Sequence, residues 1–234
     1  MTPHASLGDA LAGHKWFATG GEPVRAALAR TARGVEVARG TQIFARGEPG
    51  ERLLLLRDGV VKISTVSLEG REMVLSFVQA GELLGEIAAL DGGPRTADAT
   101  AMTHVSALAW PRAAFLDVMR AHPDFALRVV TQLCERLRHA NEMVEAAVQL
   151  PMAARVARAL AGLLKNAGHE TAEGWRLDFK LSQRDLGAYV GLARENVNRQ
   201  LKQWEQAGLI KLDKGEIIVR DRAAVERLGE VENL

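Results

Sequence analysis

Residues 123–150 hold no glycine and no proline except the one at their first position, so nothing interrupts a helix there until Pro151 stops it. A helix of about 28 residues is a rod of roughly 40 Å. Along it Ala126, Val130, Leu133, Leu137, Ala140, Val144 and Ala147 alternate steps of four and three. That is heptad spacing, and it predicts a parallel two-stranded contact between two copies of the chain. The alternative is a helix lying on its own domain's sheet. The length argues against this, because the rod outruns a small domain.

The sequence differs on the two sides of this rod. Upstream, "GVEVARG", "TQIFARG", "RLLLLRDG", "VVKISTVS", "EMVLSFVQ" and "VSALAW" are short apolar or alternating runs. They predict six strands turning at Gly40, Gly47, Gly59, Gly70 and Gly81, hence a compact antiparallel barrel or roll. "PRAAFLDVMRAH" then predicts a helix leading into the rod. Downstream, "MAARVARALAGLLKNAG" reads as a helix ending at Gly168, and "WRLDFK" as a strand. The fold class is α+β. The expected division is 1–120 for the roll with an N-terminal arm, 121–150 for the long helix, and 151–234 for the last domain.

Within the last domain, Ser182 followed by Asp185 fits a capping box, which starts a helix near Gln183. Gly191 interrupts the apolar spacing of Leu186, Val190, Val197 and Leu201, and Gly208 supplies a stop. Two short helices with a glycine turn between them predict a helix-turn-helix. On the second helix, from about Arg194 to Gln206, the side chains of Arg194, Glu195 and Arg199 lie within roughly 140° of arc. Arginine can pair with guanine O6 and N7, and glutamate can accept from cytosine N4, so the trio suits a G·C-containing half-site in a major groove. A Glu195–Arg199 pair on a wet surface would use the same residues. Ala193 supplies no cap to this helix. "IKLDKGEIIVRD" adds two short strands around Lys214 and Gly215, a wing able to touch phosphate.

A second constellation lies in the roll. In "AGELLGEIAALDGGPRTADATA", Gly85 permits close backbone approach and Glu86 can accept from a ribose hydroxyl. Arg95 and Thr96 offer a guanidinium and a hydroxyl to a phosphodiester. "IAAL" between them predicts a short helix whose first N–H groups could help hold an anion. Glu and Arg nine apart also form ordinary surface ion pairs.

"LLGEIAALDGGPRTADAT" resembles the phosphate-binding cassette of cyclic-nucleotide-binding domains, and "VGLARENVNRQLKQWEQAGLI" is similar to the helix-turn-helix of the CRP/FNR superfamily. The order of parts agrees from about Gly20 to Arg220. The resemblance implies a homodimeric, cytoplasmic, allosteric transcription regulator that binds a cyclic nucleotide (cAMP or cGMP) and a palindromic TGTGA-like DNA site. RNA polymerase is an implied partner. Its ligand-binding residues would be Gly85, Glu86, Ile87, Arg95, Thr96 and Asn141, with Glu86 on the ribose 2′-hydroxyl and Arg95 and Thr96 on the cyclic phosphate. Its DNA-binding residues would be Ser182, Gln183, Arg194, Glu195, Asn196, Arg199 and Lys202. Relatives read adenine with a Thr-Ser pair where this chain has Ala140 and Asn141, and Asn141 can accept from adenine or donate to guanine. A regulator that binds DNA constitutively, with a degenerate sensor or one for a different effector, is the alternative.

Composition restricts the other classes. No apolar run reaches the roughly 18 residues of a membrane helix, and the first residues lack a secretory apolar core. The one cysteine, Cys134, leaves no internal disulfide or cysteine cluster, and it is expected to be a small buried apolar residue. Histidines at 4, 14, 104, 122, 139 and 169 are scattered, with no metal spacing. No Walker loop or triad-like grouping points to an enzyme. The net charge is +1, so nucleic acid is indicated only by the local helix-turn-helix pattern.

Overall fold

The computed structural model describes residues 21–213 and 215–230, and the arm before them and Lys214 of the wing lie outside that range. The chain divides into two units, Met1–Ile63 with Phe77–Arg138, and Ser64–Ser76 with His139–Leu234.

The first unit begins with α1 (Gly21–Thr31) and β1 (Arg33–Val37), β2 (Gln42–Phe44), β3 (Arg52–Asp58), β4 (Val60–Val66), β5 (Glu72–Gln79) and β6 (Leu83–Leu84). A short α2 (Glu86–Asp91), β7 (Asp98–Ala101), β8 (Val105–Pro111), α3 (Arg112–Ala121) and the long α4 (Pro123–Gln149) follow. The strands form two sheets, ordered β1-β8-β3-β6 and β2-β7-β4-β5.

The leucine run in β3 explains how the two sheets meet. Leu53, Leu54, Leu55 and Leu56 are all at most 1% exposed. Side chains alternate across a strand, so the run serves two cores at once. Leu54 and Leu56 pack between the sheets with Val61, Val78, Ala99, Ala101, Ala107 and Ala109. Leu53 and Leu55 face the other way, into Val24, Leu28, Leu83, Trp110, Phe115, Phe125 and Val129. Trp110 anchors this outer core by donating Nε1–H to the Leu28 carbonyl at 2.9 Å. Phe115 meets Phe125 edge-on at 5.6 Å between centroids. Phe125 and Val129 tie the start of α4 to the roll, while residues from His139 onward go with the second unit. The long helix is therefore shared by both units.

Eight strands stand where six were expected. β6 has only two residues, and β7 is the sequence "DATA", whose apolar side is alanine alone. Ala99 and Ala101 are nevertheless at most 1% exposed, because small side chains are what fit between the sheets. All five expected turn glycines, Gly40, Gly47, Gly59, Gly70 and Gly81, have positive φ.

The second unit contains α5 (Met152–Ala167), β9 (Gly168–Thr171), β10 (Gly174–Leu177), α6 (Gln183–Val190), α7 (Arg194–Gln206), β11 (Ile210–Asp213), β12 (Glu216–Val219) and α8 (Arg222–Gly229). Its sheet is ordered β11-β12-β10-β9. β11 pairs antiparallel with β12 from Ile210↔Val219 to Asp213↔Glu216. Val156, Leu160, Leu186, Val197, Leu201, Ile218 and Val225 are buried, which gives this unit its own core.

On α4 one expectation fails. Cys134 is exposed rather than buried, because it projects from the solvent-facing stripe of the rod and not into the roll. The same stripe leaves Val130 48%, Leu137 62% and Val144 65% exposed in the single chain. No helix among the described residues is long and apolar enough to cross a membrane.

Candidate functional site

The cassette is built on the turn from β6 into α2. Gly85 takes φ +81°, and a Cβ placed there would lie 2.2 Å from Nη1 of Arg95. Only glycine allows both the left-handed turn and the guanidinium to occupy that space. Glu86 follows, at 3% exposure, and Arg95 is at 4%. Arg95 donates from Nη1 to the Gly85 carbonyl at 2.8 Å and from Nη2 to the Arg52 carbonyl at 2.5 Å. Its carbon Cζ sits 4.2 Å from the centroid of Phe44. Its Nε is buried with no hydrogen-bond partner among the described residues. Burial, and secondly the charge of Arg52, hold the guanidinium below its ordinary pKa, with Glu86 and Glu48 opposing the shift. An arginine stays charged under such conditions. The site is thus a buried cation held by neutral carbonyls.

Ile87 is 44% exposed and Thr96 is exposed. Gly85, Glu86, Ile87, Arg95 and Thr96 all belong to the first unit, whereas Asn141 is exposed on the part of α4 that belongs to the second.

The helix-turn-helix has the expected bounds. Ser182 caps α6 by accepting from the Asp185 N–H at 3.0 Å, and its hydroxyl donates to Asp185 Oδ2 at 2.5 Å. The Asp therefore closes on the Ser side chain, a variation on the expected capping box. Gly187 packs against the turn, where a Cβ would lie 2.7 Å from the Leu192 carbonyl oxygen. Arg155 of α5 donates to the carbonyls of Val190 and Gly191 and so fixes the end of α6. Ala193 gives α7 no side-chain cap. Arg194, Glu195, Arg199 and Lys202 are exposed, and Gln183 and Asn196 are half-buried. A groove of about 360 Å³ along α7 is lined by Glu195, Asn198, Arg199, Lys202, Gln203 and Gln206. Asn196 Oδ1 accepts from Arg199 Nη2 at 3.0 Å, which makes Asn196 a support for that arginine.

A family profile for the cyclic nucleotide-binding domain matches residues 34–122, and one for the Crp-like helix-turn-helix domain matches residues 154–228. The chain is 31% identical over 202 residues to the CRP-like cAMP-activated global transcriptional regulator of Mycobacterium tuberculosis, spanning 86% of this chain and 90% of that one. It is 32% identical over 191 residues to the Cyclic AMP receptor protein of Thermus thermophilus, spanning 82% and 85%.

The chain belongs to the CRP/FNR family of transcription regulators.

A solved CRP/FNR-family regulator from Thermus thermophilus superposes with a TM-score of 0.70 at 26% identity, covering 86% of this chain and 100% of that one. FixK2 from Bradyrhizobium japonicum shares the fold at a TM-score of 0.75 and 22% identity, over 86% and 99%.

In this CRP/FNR-family chain one cassette residue escaped the sequence reading. Arg136 of α4 donates Nη1–H to Glu86 Oε1 at 2.5 Å and Nη2–H to the Leu83 carbonyl. A signal was available. Arg136 lies one turn before Ala140, where the family resemblance sets one of the adenine-reading pair, and side chains four apart share a face.

Proposed function

We propose that this CRP/FNR-family protein is a cytoplasmic, non-enzymatic homodimer that binds cAMP or cGMP in its roll and in response binds a palindromic DNA site. The observation that carries this is Arg95. A guanidinium at 4% exposure, bonded only to neutral carbonyls and with an orphaned Nε, has donors left for an anion. A cyclic phosphate on Arg95 and Thr96 supplies that anion. Glu86 has lone pairs beyond those Arg136 uses, enough to accept from a ribose 2′-hydroxyl. Gly85 and Ile87 line the approach, and Asn141 is the purine-reading candidate.

The parts follow the division 1–120 for the sensor, 121–150 for dimerisation and 151–234 for DNA. The exposed Val130, Leu137 and Val144 support pairing through the helix, where two copies hide what one leaves in water. Nucleotide favours one register of the pair, which sets the two α7 helices about one DNA turn, roughly 34 Å, apart. Arg194, Glu195 and Arg199 then read bases, Asn196 supports Arg199, and Ser182, Gln183 and Lys202 contact the backbone. RNA polymerase is the expected protein partner.

A second reading rests on the Arg136–Glu86 ion pair. Glu86 already has a cationic partner, which suits a regulator that binds DNA constitutively or senses another effector.

Calorimetry of the purified protein with cyclic AMP and with cyclic GMP, followed by mobility shift on a TGTGA-containing palindrome at stated salt, separates these readings. Saturable binding of one nucleotide that tightens the DNA complex, and that Arg95→Ala abolishes while the dimer persists, supports the first. DNA binding indifferent to both nucleotides supports the second.

A further inference from the structure

Helix α6 carries two contacts whose partners lie outside the helix-turn-helix. Arg184 Nη2 stands 3.9 Å from Glu72 Oε2, and Glu72 lies in the segment Ser64–Ser76, which joins β4 to β5 and belongs to the second unit. Tyr189, at 8% exposure, has its hydroxyl 3.3 Å from Nε2 of His139 on the long helix α4. Glu142, on the next turn of α4, faces the other ring nitrogen of His139 at 3.8 Å. Positions 184 and 189 are about 140° apart round α6 and about 7.5 Å apart along it, so the two contacts together fix both where the helix lies and how it is turned.

Their effect on DNA binding follows from where Arg184 sits. Ser182 and Gln183, assigned above to the DNA backbone, immediately precede it. A phosphate that reaches them competes with Glu72 for the Arg184 cation and is repelled by the carboxylate. The Arg184 side chain is 76% exposed, so the pair is weak enough to exchange one anion for another.

We propose that Arg184–Glu72 and Tyr189–His139 form an autoinhibitory clasp, which holds α6 and the α7 packed on it away from DNA until both contacts open. This rests on the assignment of the helix-turn-helix to DNA and not on the identity of the effector. An effector that favours the open clasp binds more tightly once the clasp is gone, because the competent population has risen.

The test is mobility shift of the full chain on a TGTGA-containing palindrome at fixed salt, with no nucleotide, with cyclic AMP and with cyclic GMP. Tyr189→Phe removes the hydroxyl and keeps the buried ring. Its dissociation constant for DNA without nucleotide is expected to fall about threefold or more, and to match wild type when nucleotide saturates. His139→Ala gives the same gain, and the double variant gains no more than either single one, since all three lose one bond. Glu72→Gln also tightens the DNA complex, most at low salt, and adds to Tyr189→Phe because the two contacts share no partner. Calorimetry of Tyr189→Phe should show the effector nucleotide bound more tightly by a similar factor, which a tyrosine with a merely structural role would not produce. A Tyr189→Phe protein that binds DNA no more tightly than wild type without nucleotide overturns the clasp and leaves the sensor reading standing. A wild type indifferent to both nucleotides, beside a Tyr189→Phe protein that still tightens on DNA, supports the clasp and overturns the sensor reading.

Discussion

Arg136 Nη1 and Glu86 Oε1 stand 2.5 Å apart, so a carboxylate at 3% exposure is neutralised by a cation from the long helix. Removing one member of such a pair strands the other. Arg136→Ala is expected to lower stability by about 2–3 kcal/mol, measured by denaturant unfolding. Adding Glu86→Gln to it should restore part of the loss. A double variant no better than Arg136→Ala alone would mean that the arginine matters for packing rather than charge.

Two glycines in this chain should respond to alanine with opposite signs. Gly85→Ala places a Cβ in left-handed backbone and against Arg95, so it should destabilise by more than about 1 kcal/mol and weaken nucleotide binding. Gly162 lies inside α5, where a Cβ meets nothing within 4 Å. Gly162→Ala should stabilise by about 0.5–1 kcal/mol. Thermal melts of both variants check the pair.

Leu137 is 62% exposed in the single chain, so its substitution should not unfold the protomer. Leu137→Lys puts a charge into the proposed seam twice, once per copy. The dimer dissociation constant should rise about a hundredfold or more, read by analytical ultracentrifugation. An unchanged dimer would move the subunit contact off this stripe.

Tyr189 is the chain's one tyrosine, so phenolate absorbance reports it alone. Its hydroxyl is 3.3 Å from His139 Nε2, and burial pushes its pKa up from 10.0 to about 12. Burial favours the neutral phenol, so the stability it lends is complete below the unfolded value near 10.0 and is lost as pH rises towards 12. Alkaline titration should show a midpoint near 12 in the folded protein and near 10.0 in denaturant. A folded midpoint near 10.0 would mean the ring is reached by water.

Much of this arrangement was legible from residue pattern. The leucine run of β3 marks a strand covered on both faces, and the Gly191 turn between two apolar-spaced helices marks the helix-turn-helix, because both signals are local. Strand β7 was not legible, since alanines buried between sheets look like alanines anywhere. Helix α1 and strand β9 carry too little contrast between faces to stand out. Glu86 and Arg95 could be picked from the resemblance of their segment to a phosphate-binding cassette, but the approach of Arg136 to Glu86 spans fifty positions and depends on how the helix returns to the roll. Cys134 was misjudged because its type is most often interior, while its surroundings are set by a stripe that one chain leaves open.

Arg136 and Leu137 are consecutive, and the two side chains leave the helix about 100° apart, one towards the acid of the sensor and the other into the apolar stripe. A change in the angle of this one turn is felt in both directions. Mutations selected to retune which effector is accepted will therefore tend to alter subunit pairing as well, and libraries that vary residue 136 should vary 137 with it.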